Sequence, residues 1–200
     1  MVRGICMNNE VSILNENVVT ENLKIKTNLY LGIKRSFDIF VSLIGCIALI
    51  PLMILVKICN VISGDFNKIF YKQKRIGKNG KIIYIYKFRS MVPNADEILK
   101  ELLEKSPERK KEWEENQKFE HDPRITKIGN ILRKTSLDEV PQMINVLKGD
   151  MSLIGPRPLV EGELDSHNGN HKLYESVRPG ITGWWYVSLY ADSNCMKGVA

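Results

Sequence analysis

The longest apolar stretch of the chain is an uncharged run of eighteen residues at 39–56, with Asp38 before it and Lys57 after it. Its length meets the minimum for a helix that crosses the hydrocarbon core of a bilayer. The run lies far from the N-terminus and lacks a small-residue cleavage site, which excludes a secretory signal peptide. The pattern predicts a membrane helix, and the buried helix of a soluble domain is the alternative.

Two features of this run favour a re-entrant hairpin over a simple span. Pro51 removes a backbone donor about two-thirds along the run and favours a kink. Basic residues flank both ends, Lys34 and Arg35 before the run and Lys57 and Lys68 after it, so the positive-inside rule gives no orientation. A helix that enters and leaves by the cytoplasmic face would keep all these cations beside anionic lipid. We therefore predict a re-entrant membrane segment at 33–63.

A strand pattern follows the membrane run. Residues 68–89 contain eight Lys or Arg and no acidic residue, with apolar and aromatic stretches on either side of Asn79-Gly80. Asn-Gly between two such stretches is a strong signal for a β-hairpin. A basic hairpin beside a membrane segment can hold anionic lipid headgroups or a phosphate, and a merely solvated charged surface is the alternative.

The remaining patterns are weaker. Residues 94–120 are highly charged, with a sparse apolar spacing and a break at Pro107, which predicts a pair of solvated surface helices. Residues 1–32 are Asn-rich and weakly patterned, and we expect a loosely ordered extension there. The fold class predicted is α+β, with a re-entrant helix followed by a small, helix-rich cytosolic domain at 64–200 that contains the hairpin.

Composition adds a preference for an anionic partner. The formal net charge is +6 and the isoelectric point about 9.1, while 44% hydrophobic and 26% charged residues are ordinary for a folded domain. Nucleic acid, anionic lipid and phosphorylated substrates would all fit this charge, and the adjacent membrane run argues against nucleic acid. The four cysteines show no CxxC pair and no zinc-site spacing, which indicates a reducing compartment: Cys6, Cys46, Cys59 and Cys195.

Two adjacent carboxylates, Asp138 and Glu139, lie at the predicted start of a helix. Ser136 and Glu139 have the spacing of a capping box, in which Glu139 would bond back to the Ser136 backbone. Asp138 would also be stabilised at the positive end of a helix. From the residues alone, a structural and a chemical role for this pair are equally open.

Cations near turn signals favour the chemical role. Arginines held by prolines or by a helix end present rigid forks to phosphate oxygens. Four arginines have such a setting: Arg124 in DPR, Arg133 before the carboxylates, Arg157 in GPRP and Arg178 in RPG. A further turn, Lys148-Gly149, is typical of a helix that ends there.

Four blocks, taken in order, resemble the bacterial sugar transferase family, the monotopic polyprenyl-phosphate phosphoglycosyl transferases. They are KRSFDIF at 34–40, IGKNGKIIYIYKFRSM at 76–91, DPRITKIGNILRKTSLDEVPQMINVLKGDMSLIGPRP at 122–158 and VRPGITG at 177–183. The resemblance implies transfer of a sugar 1-phosphate from a UDP-sugar to undecaprenyl phosphate with release of UMP, which initiates surface polysaccharide synthesis. It also implies a bacterial inner-membrane enzyme with its catalytic domain facing the cytoplasm.

The resemblance carries roles onto particular residues of this chain. It implies a catalytic dyad of Asp138 and Glu139, dependence on Mg²⁺ held by the same two carboxylates, and Asp138 as the nucleophile, with metal positioning or proton handling as the alternatives for Glu139. Phosphate-binding candidates are Arg133, Arg157, Arg178 and Arg124. Lys34, Arg35 and Asp38 match the family's interfacial start to the membrane helix, and Pro51 matches its break.

The chain also departs from the family pattern in two places. Ile50 precedes Pro51 where a small polar residue often stands, and the resemblance is expected to end near Ser188. We therefore expect a shortened C-terminus, with a truncated and catalytically impaired relative as the alternative function. A basic, soluble nucleic-acid binder is the third possibility.

Overall fold

The computed structural model describes residues 3–116, 119–163 and 171–185, with side chains for 26–114, 119–163 and 171–185. The chain divides into two units, Met1–Val41 and Ser42–Ala200, and each is described by itself. The first unit is the opening part of helix α1, which comprises Arg3–Ile62. In this unit Lys34 and Asp38, one helical turn apart, form an ion pair with 3.4 Å between Lys34 Nζ and Asp38 Oδ2. Asp38 is buried. Residues 3–32, where the sequence predicted a loosely ordered extension, are helical.

Helix α1 continues through Pro51 without a break, so a hairpin turn does not interrupt it. Proline removes one backbone hydrogen bond but leaves the flanking bonds intact, which is compatible with a kinked, continuous helix. Within Lys26–Ile62 the helix is long and apolar enough to cross a membrane, judged by length and composition. The prediction of a long apolar helix is confirmed, and the re-entrant course stays a prediction.

The part of α1 in the second unit has two different faces. Leu49, Val56 and Asn60 recur at helical spacing and are buried. Leu49 and Val56 form a core with Phe88 and Leu132 of the domain that follows. The other faces expose large apolar side chains to the surroundings: Leu43, Ile44, Ile47, Ile50, Ile54, Leu55 and Ile58. One stripe of the helix therefore holds the domain, and the remainder is unsuited to water.

A β-hairpin follows α1, as predicted. Strand β1 (Phe70–Ile76) pairs antiparallel with β2 (Ile82–Phe88), and the register runs from Phe70 opposite Phe88 to Ile76 opposite Ile82. The turn at Lys78–Gly80 has positive φ at Asn79 (59°) and Gly80 (70°). These are the residue types that adopt this conformation at least cost, which explains the Asn-Gly signal.

The charged segment forms two surface helices. Helix α2 comprises Ala95–Lys105 and α3 comprises Pro107–Asn116, with Ser106 between them. Proline is tolerated at the first helical position, where its missing N–H is not needed. None of the residues of α2 is buried, so the predicted solvated helix pair is confirmed.

The rest of the domain supports the turn that contains Ser136, Asp138 and Glu139, which we call the carboxylate turn. Helix α4 (Lys127–Lys134) leads into a 3-10 helix (Leu137–Gln142) and then α5 (Met143–Lys148). Gly149, with φ of 87°, ends α5 as the Lys148-Gly149 signal predicted. Strand β3 (Ser152–Ile154) pairs parallel with β4 (Gly180–Thr182), and α6 (His171–Glu175) precedes β4. A second core joins β2 to this region through Ile83, Ile85, Val146 and Met151.

Candidate active site

A cavity of about 710 Å³ lies between the β-hairpin and the carboxylate turn. Both predicted dyad residues line it, and so do cations from three different segments. Its walls comprise Tyr71, Gln73, Arg75, Lys87, Phe88, Arg89, Ser90, Met91, Val92, Pro93, Ala95, Asp96, Arg133, Ser136, Asp138, Glu139 and Trp185. A pocket of this size and mixed lining is typical of a small-molecule site.

The carboxylate turn differs from the capping box that the spacing of Ser136 and Glu139 suggested. Ser136 has a left-handed φ of 55°, and its side chain makes no capping hydrogen bond to the 3-10 helix. The Glu139 carboxylate instead accepts a hydrogen bond from Lys87 Nζ of β2 at 2.6 Å. A left-handed non-glycine residue is costly, and such residues cluster at functional sites. This geometry favours the chemical role of the pair over the structural one.

Asp138 lies in a partly buried position on the cavity wall. Burial raises the pKa of its carboxyl above the ordinary value. The positive charges of Lys87 and Arg133 act in the opposite sense on this pKa, whereas the neighbouring Glu139 charge raises it further. A partly desolvated carboxylate beside two cations can be used as a nucleophile toward an anionic group, since the cations reduce the repulsion.

Arg133 is positioned by Ser90. Its Nε donates to Ser90 Oγ at 2.8 Å, and both residues line the cavity. The approach of α4 to this segment is close: a Cβ atom on Gly129 would lie 1.9 Å from the Ser90 carbonyl oxygen. Thr126 Oγ1 accepts a hydrogen bond from the Gly129 N–H at 2.9 Å and caps the same helix. The first turn of α4 therefore packs on Ser90, and its last turn places Arg133 at the cavity.

The other three predicted phosphate-binding arginines are outside the cavity lining. Arg124 is buried, pairs with Asp122 at 2.7 Å and lies over the rings of Trp113 and Phe119. Arg157 lies 3.8 Å from Glu163. Arg178 Nε donates to the Gly149 carbonyl at 2.8 Å. The phosphate-binding role of these three residues stays a prediction.

Three cations of the cavity lining were not predicted as site residues from the sequence: Arg75, Lys87 and Arg89. Arg89 is fully engaged: its Nη2 lies 2.6 Å from Asp65 Oδ2, and Nε and Nη1 donate to the carbonyls of Lys68 and Met91. The basic, alternating pattern of 68–89 was the signal for a cationic hairpin. It does not reveal which side chains face the carboxylates, because that depends on how β2 packs on the 3-10 helix.

Magnesium can be tested against the donor set. Within 26–114, 119–163 and 171–185, no group of three or more His, Cys, Asp or Glu side chains could hold an ion. Mg²⁺ in phosphate-transferring sites is commonly held by one or two carboxylates together with substrate phosphates and water. Asp138 and Glu139 fit an ion of that kind, whose remaining ligands would come from the substrate.

Comparison with known proteins gives a single family. A family model described as bacterial sugar transferase matches residues 29–199, which confirms the resemblance found in the motifs. The match continues well past Ser188, so the expectation that the resemblance ends there is wrong. Residues 186–200 lie outside the described part of the structure.

Three relatives illustrate the match. Undecaprenyl-phosphate galactose phosphotransferase of Salmonella typhimurium is 46% identical over 170 residues, covering 85% of this chain and 35% of the relative. Exopolysaccharide production protein ExoY of Sinorhizobium fredii is 44% identical over 167 residues, covering 84% of this chain and 74% of that protein. UDP-galactose-lipid carrier transferase of Erwinia amylovora is 43% identical over 172 residues, covering 85% of this chain and 35% of that protein. The chain thus spans about a third of two relatives and about three quarters of the other.

Proposed function

The chain belongs to the bacterial sugar transferase family, and from this premise we propose that it transfers a sugar 1-phosphate from a UDP-sugar to undecaprenyl phosphate and releases UMP. One observation carries the proposal. Asp138 and Glu139 lie together on the wall of a 710 Å³ cavity, with Lys87 and Arg133 beside them. The product would start the assembly of a surface polysaccharide, in line with the exopolysaccharide and lipid-carrier names of the relatives.

The transfer takes place in two displacements at phosphorus. In the first, an Asp138 carboxylate oxygen attacks the sugar-linked phosphorus of the donor, and the bond from that phosphorus to the oxygen of UMP breaks. In the second, a phosphate oxygen of the lipid acceptor attacks the same phosphorus and the bond to Asp138 breaks. The support is the exposure of Asp138 to the cavity and its two neighbouring cations.

The neighbouring residues have separate tasks in this scheme. Arg133 and Lys87 stabilise negative charge that develops on the transferring phosphoryl oxygens. Ser90 holds the Arg133 guanidinium in place through its hydrogen bond. Asp138 and Glu139 would hold Mg²⁺, which supplies charge neutralisation at the diphosphate when it is bound. The Lys87 contact holds the Glu139 carboxylate in place at this site.

The enzyme would be attached to the inner membrane with its catalytic domain in the cytoplasm. Leu49, near the middle of the apolar run, and Val56, at its end, pack on the domain core. A helix that stood upright across the bilayer would bring this charged domain to the depth of the hydrocarbon, which is strongly unfavourable. We therefore retain a course in which α1 enters and leaves by one face, with a kink at Pro51 and Lys34, Arg35 and Lys57 beside anionic lipid.

A direct assay tests the activity. Detergent-solubilised protein is incubated with Mg²⁺, undecaprenyl phosphate and, separately, UDP-galactose, UDP-glucose and UDP-N-acetylgalactosamine, and UMP release is measured. We expect repeated turnover with at least one donor when the lipid acceptor is present in excess over enzyme, and without the acceptor a release of UMP no greater than the amount of enzyme. Asp138→Asn should abolish turnover, and Asp96→Asn, which changes another carboxylate of the cavity, is the matched comparison. Turnover by Asp138→Asn at the rate of the unaltered chain would contradict the assignment.

A further inference from the structure

Arg75 forms no ion pair with a carboxylate in the part of the chain that the structure describes. It is the penultimate residue of β1, lines the same cavity as Asp138 and is partly buried. Its Nε atom is buried without a hydrogen bond, and among the described residues its guanidinium makes one long hydrogen bond, from Nη1 to the Lys74 carbonyl at 3.5 Å. A buried donor of a charged group is costly when unpaired. An unpaired buried group in a native protein calls for an explanation, and a bound anion or a catalytic role supplies one.

A second cation lies near Arg75. The loop after β3 returns to the end of β1, where the Ile76 N–H donates to the Leu159 carbonyl at 2.9 Å. Tyr174 fixes the same loop, since its hydroxyl lies 3.0 Å from the Arg157 carbonyl and 3.2 Å from the Ile76 carbonyl. This connection brings the Arg157 side chain into the electrostatic neighbourhood of Arg75.

The carboxylate in this neighbourhood, Glu163, is already engaged. One of its oxygens accepts from the Val160 N–H at 3.0 Å and the other lies 3.8 Å from Arg157. Burial lowers the pKa of the Arg75 guanidinium, Glu163 acts against that shift and Arg157 adds to it. Two cations therefore share one carboxylate, and an anion bound between them would relieve both the burial cost and their repulsion.

We propose that Arg75 is a phosphate-binding residue of the active-site cavity and that it acts together with Arg157. The inference rests on the proposed function, which supplies two phosphate sources: the diphosphate of the UDP-sugar and the phosphate of the lipid acceptor. The guanidinium fork matches the oxygens of either group. Its place on the hairpin, across the cavity lining from the carboxylate turn, allows Arg75 to hold a phosphate while Asp138 attacks.

Binding measured without turnover tests this role. Arg75→Gln and Arg75→Lys are compared with Lys74→Gln, which removes the same charge from the adjacent, exposed position of β1. Calorimetric titrations in detergent use UDP as the donor probe and undecaprenyl phosphate as the acceptor probe, and thermal denaturation without ligand reports folding. We expect Arg75→Gln to bind one of the two probes about 10- to 100-fold more weakly, Arg75→Lys to recover part of that loss, and Lys74→Gln to match the unaltered chain.

The two probes distinguish the two possible phosphate ligands of Arg75, the donor diphosphate and the acceptor phosphate. Weaker binding of UDP alone assigns Arg75 to the donor, and weaker binding of undecaprenyl phosphate alone assigns it to the acceptor. The ligand-free midpoint of Arg75→Gln should be no lower than that of the unaltered chain, because an unpaired buried charge is removed. Unchanged binding of both probes, or a lowered ligand-free midpoint with normal binding, would overturn the proposal. A lack of UMP release by the unaltered chain would contradict the proposed function but leave these binding results interpretable.

Discussion

Asp138 and Glu139 are adjacent in the sequence, yet their carboxylates meet different surroundings. Glu139 is paired with Lys87 at 2.6 Å, whereas burial raises the pKa of Asp138. Two titratable groups whose environments differ in this way are suited to different roles. The paired carboxylate is held in place by Lys87 and can hold a metal ion, and the desolvated one is the better candidate for attack on phosphorus.

Lys87 links the two carboxylates, and its removal should change the pH profile. The Lys87 charge lowers the pKa of Asp138, so Lys87→Gln should move that pKa further upward. Because attack needs the ionised carboxylate, the acidic limb of kcat/KM against pH should shift to higher pH, with a rate loss on the order of 100-fold at neutral pH. Lys110→Gln, an exposed charge on α3, should leave the profile unchanged. An acidic limb that stays in place in Lys87→Gln would show that Lys87 does not act on the nucleophile.

At the residue scale, local signals found part of the site. Asp138, Glu139 and Arg133 lie within six residues of one another, and all three line the cavity. Lys87 and Arg75 lie on the hairpin. They line the same cavity as the carboxylate turn because of tertiary packing, which no local sequence pattern encodes. The spacing of Ser136 and Glu139 predicted a capping box, but the Glu139 carboxylate binds Lys87 of the hairpin. This contact too depends on tertiary packing.

Among the elements, the hairpin was the easiest to predict and α1 the hardest. Asn79 and Gly80 determine the turn through their positive φ, a purely local property. The course of α1 depends on what surrounds it, and Pro51 by itself is compatible with a kinked continuous helix as well as with a break. The sequence therefore predicted that an apolar helix exists but left its path undetermined.

Helix α4 offers a test of how the site is supported. Gly129→Ala would place a methyl group 1.9 Å from the Ser90 carbonyl oxygen, and overpacking of this kind costs roughly 1–3 kcal/mol or more. The intrinsic helix preference for alanine, about 1 kcal/mol, opposes this cost but is smaller. We expect a lower thermal midpoint and weaker UMP release, because Ser90 positions Arg133. Asn130→Ala at the neighbouring exposed position is the control, and equal midpoints for the two variants would contradict the close packing.

The two faces of α1 should respond differently to truncation. Leu49→Ala removes a buried contact with the domain core and should destabilise the protein by about 2–5 kcal/mol in detergent. Ile47→Ala changes an exposed position of the same helix and should leave the detergent midpoint unaltered while it weakens partition into liposomes. Thermal denaturation and liposome flotation measure the two effects. A stable Leu49→Ala variant would mean that the helix does not pack on the domain as described.

At the scale of the whole molecule, the domain packs on the apolar part of α1 at Leu49 and Val56, which argues for attachment to one face of the membrane. Single cysteines at Asn28 and Ser63, in a background without the native cysteines, can be treated with an impermeant maleimide in right-side-out and inside-out vesicles. We expect both positions to react only from the cytoplasmic side, where the basic flanks are stable beside anionic lipid. Reaction of the two positions from opposite sides would establish a transmembrane span.

The whole account depends on a covalent step at Asp138. The most direct measurement is intact-protein mass spectrometry after incubation with the preferred UDP-sugar and Mg²⁺ but without undecaprenyl phosphate, followed by peptide mapping. The account predicts an added sugar phosphate on the peptide that contains Asp138, its absence in Asp138→Asn, and its loss when the lipid acceptor is added. An adduct on another residue, or rapid product formation with no adduct at any time point, would contradict it.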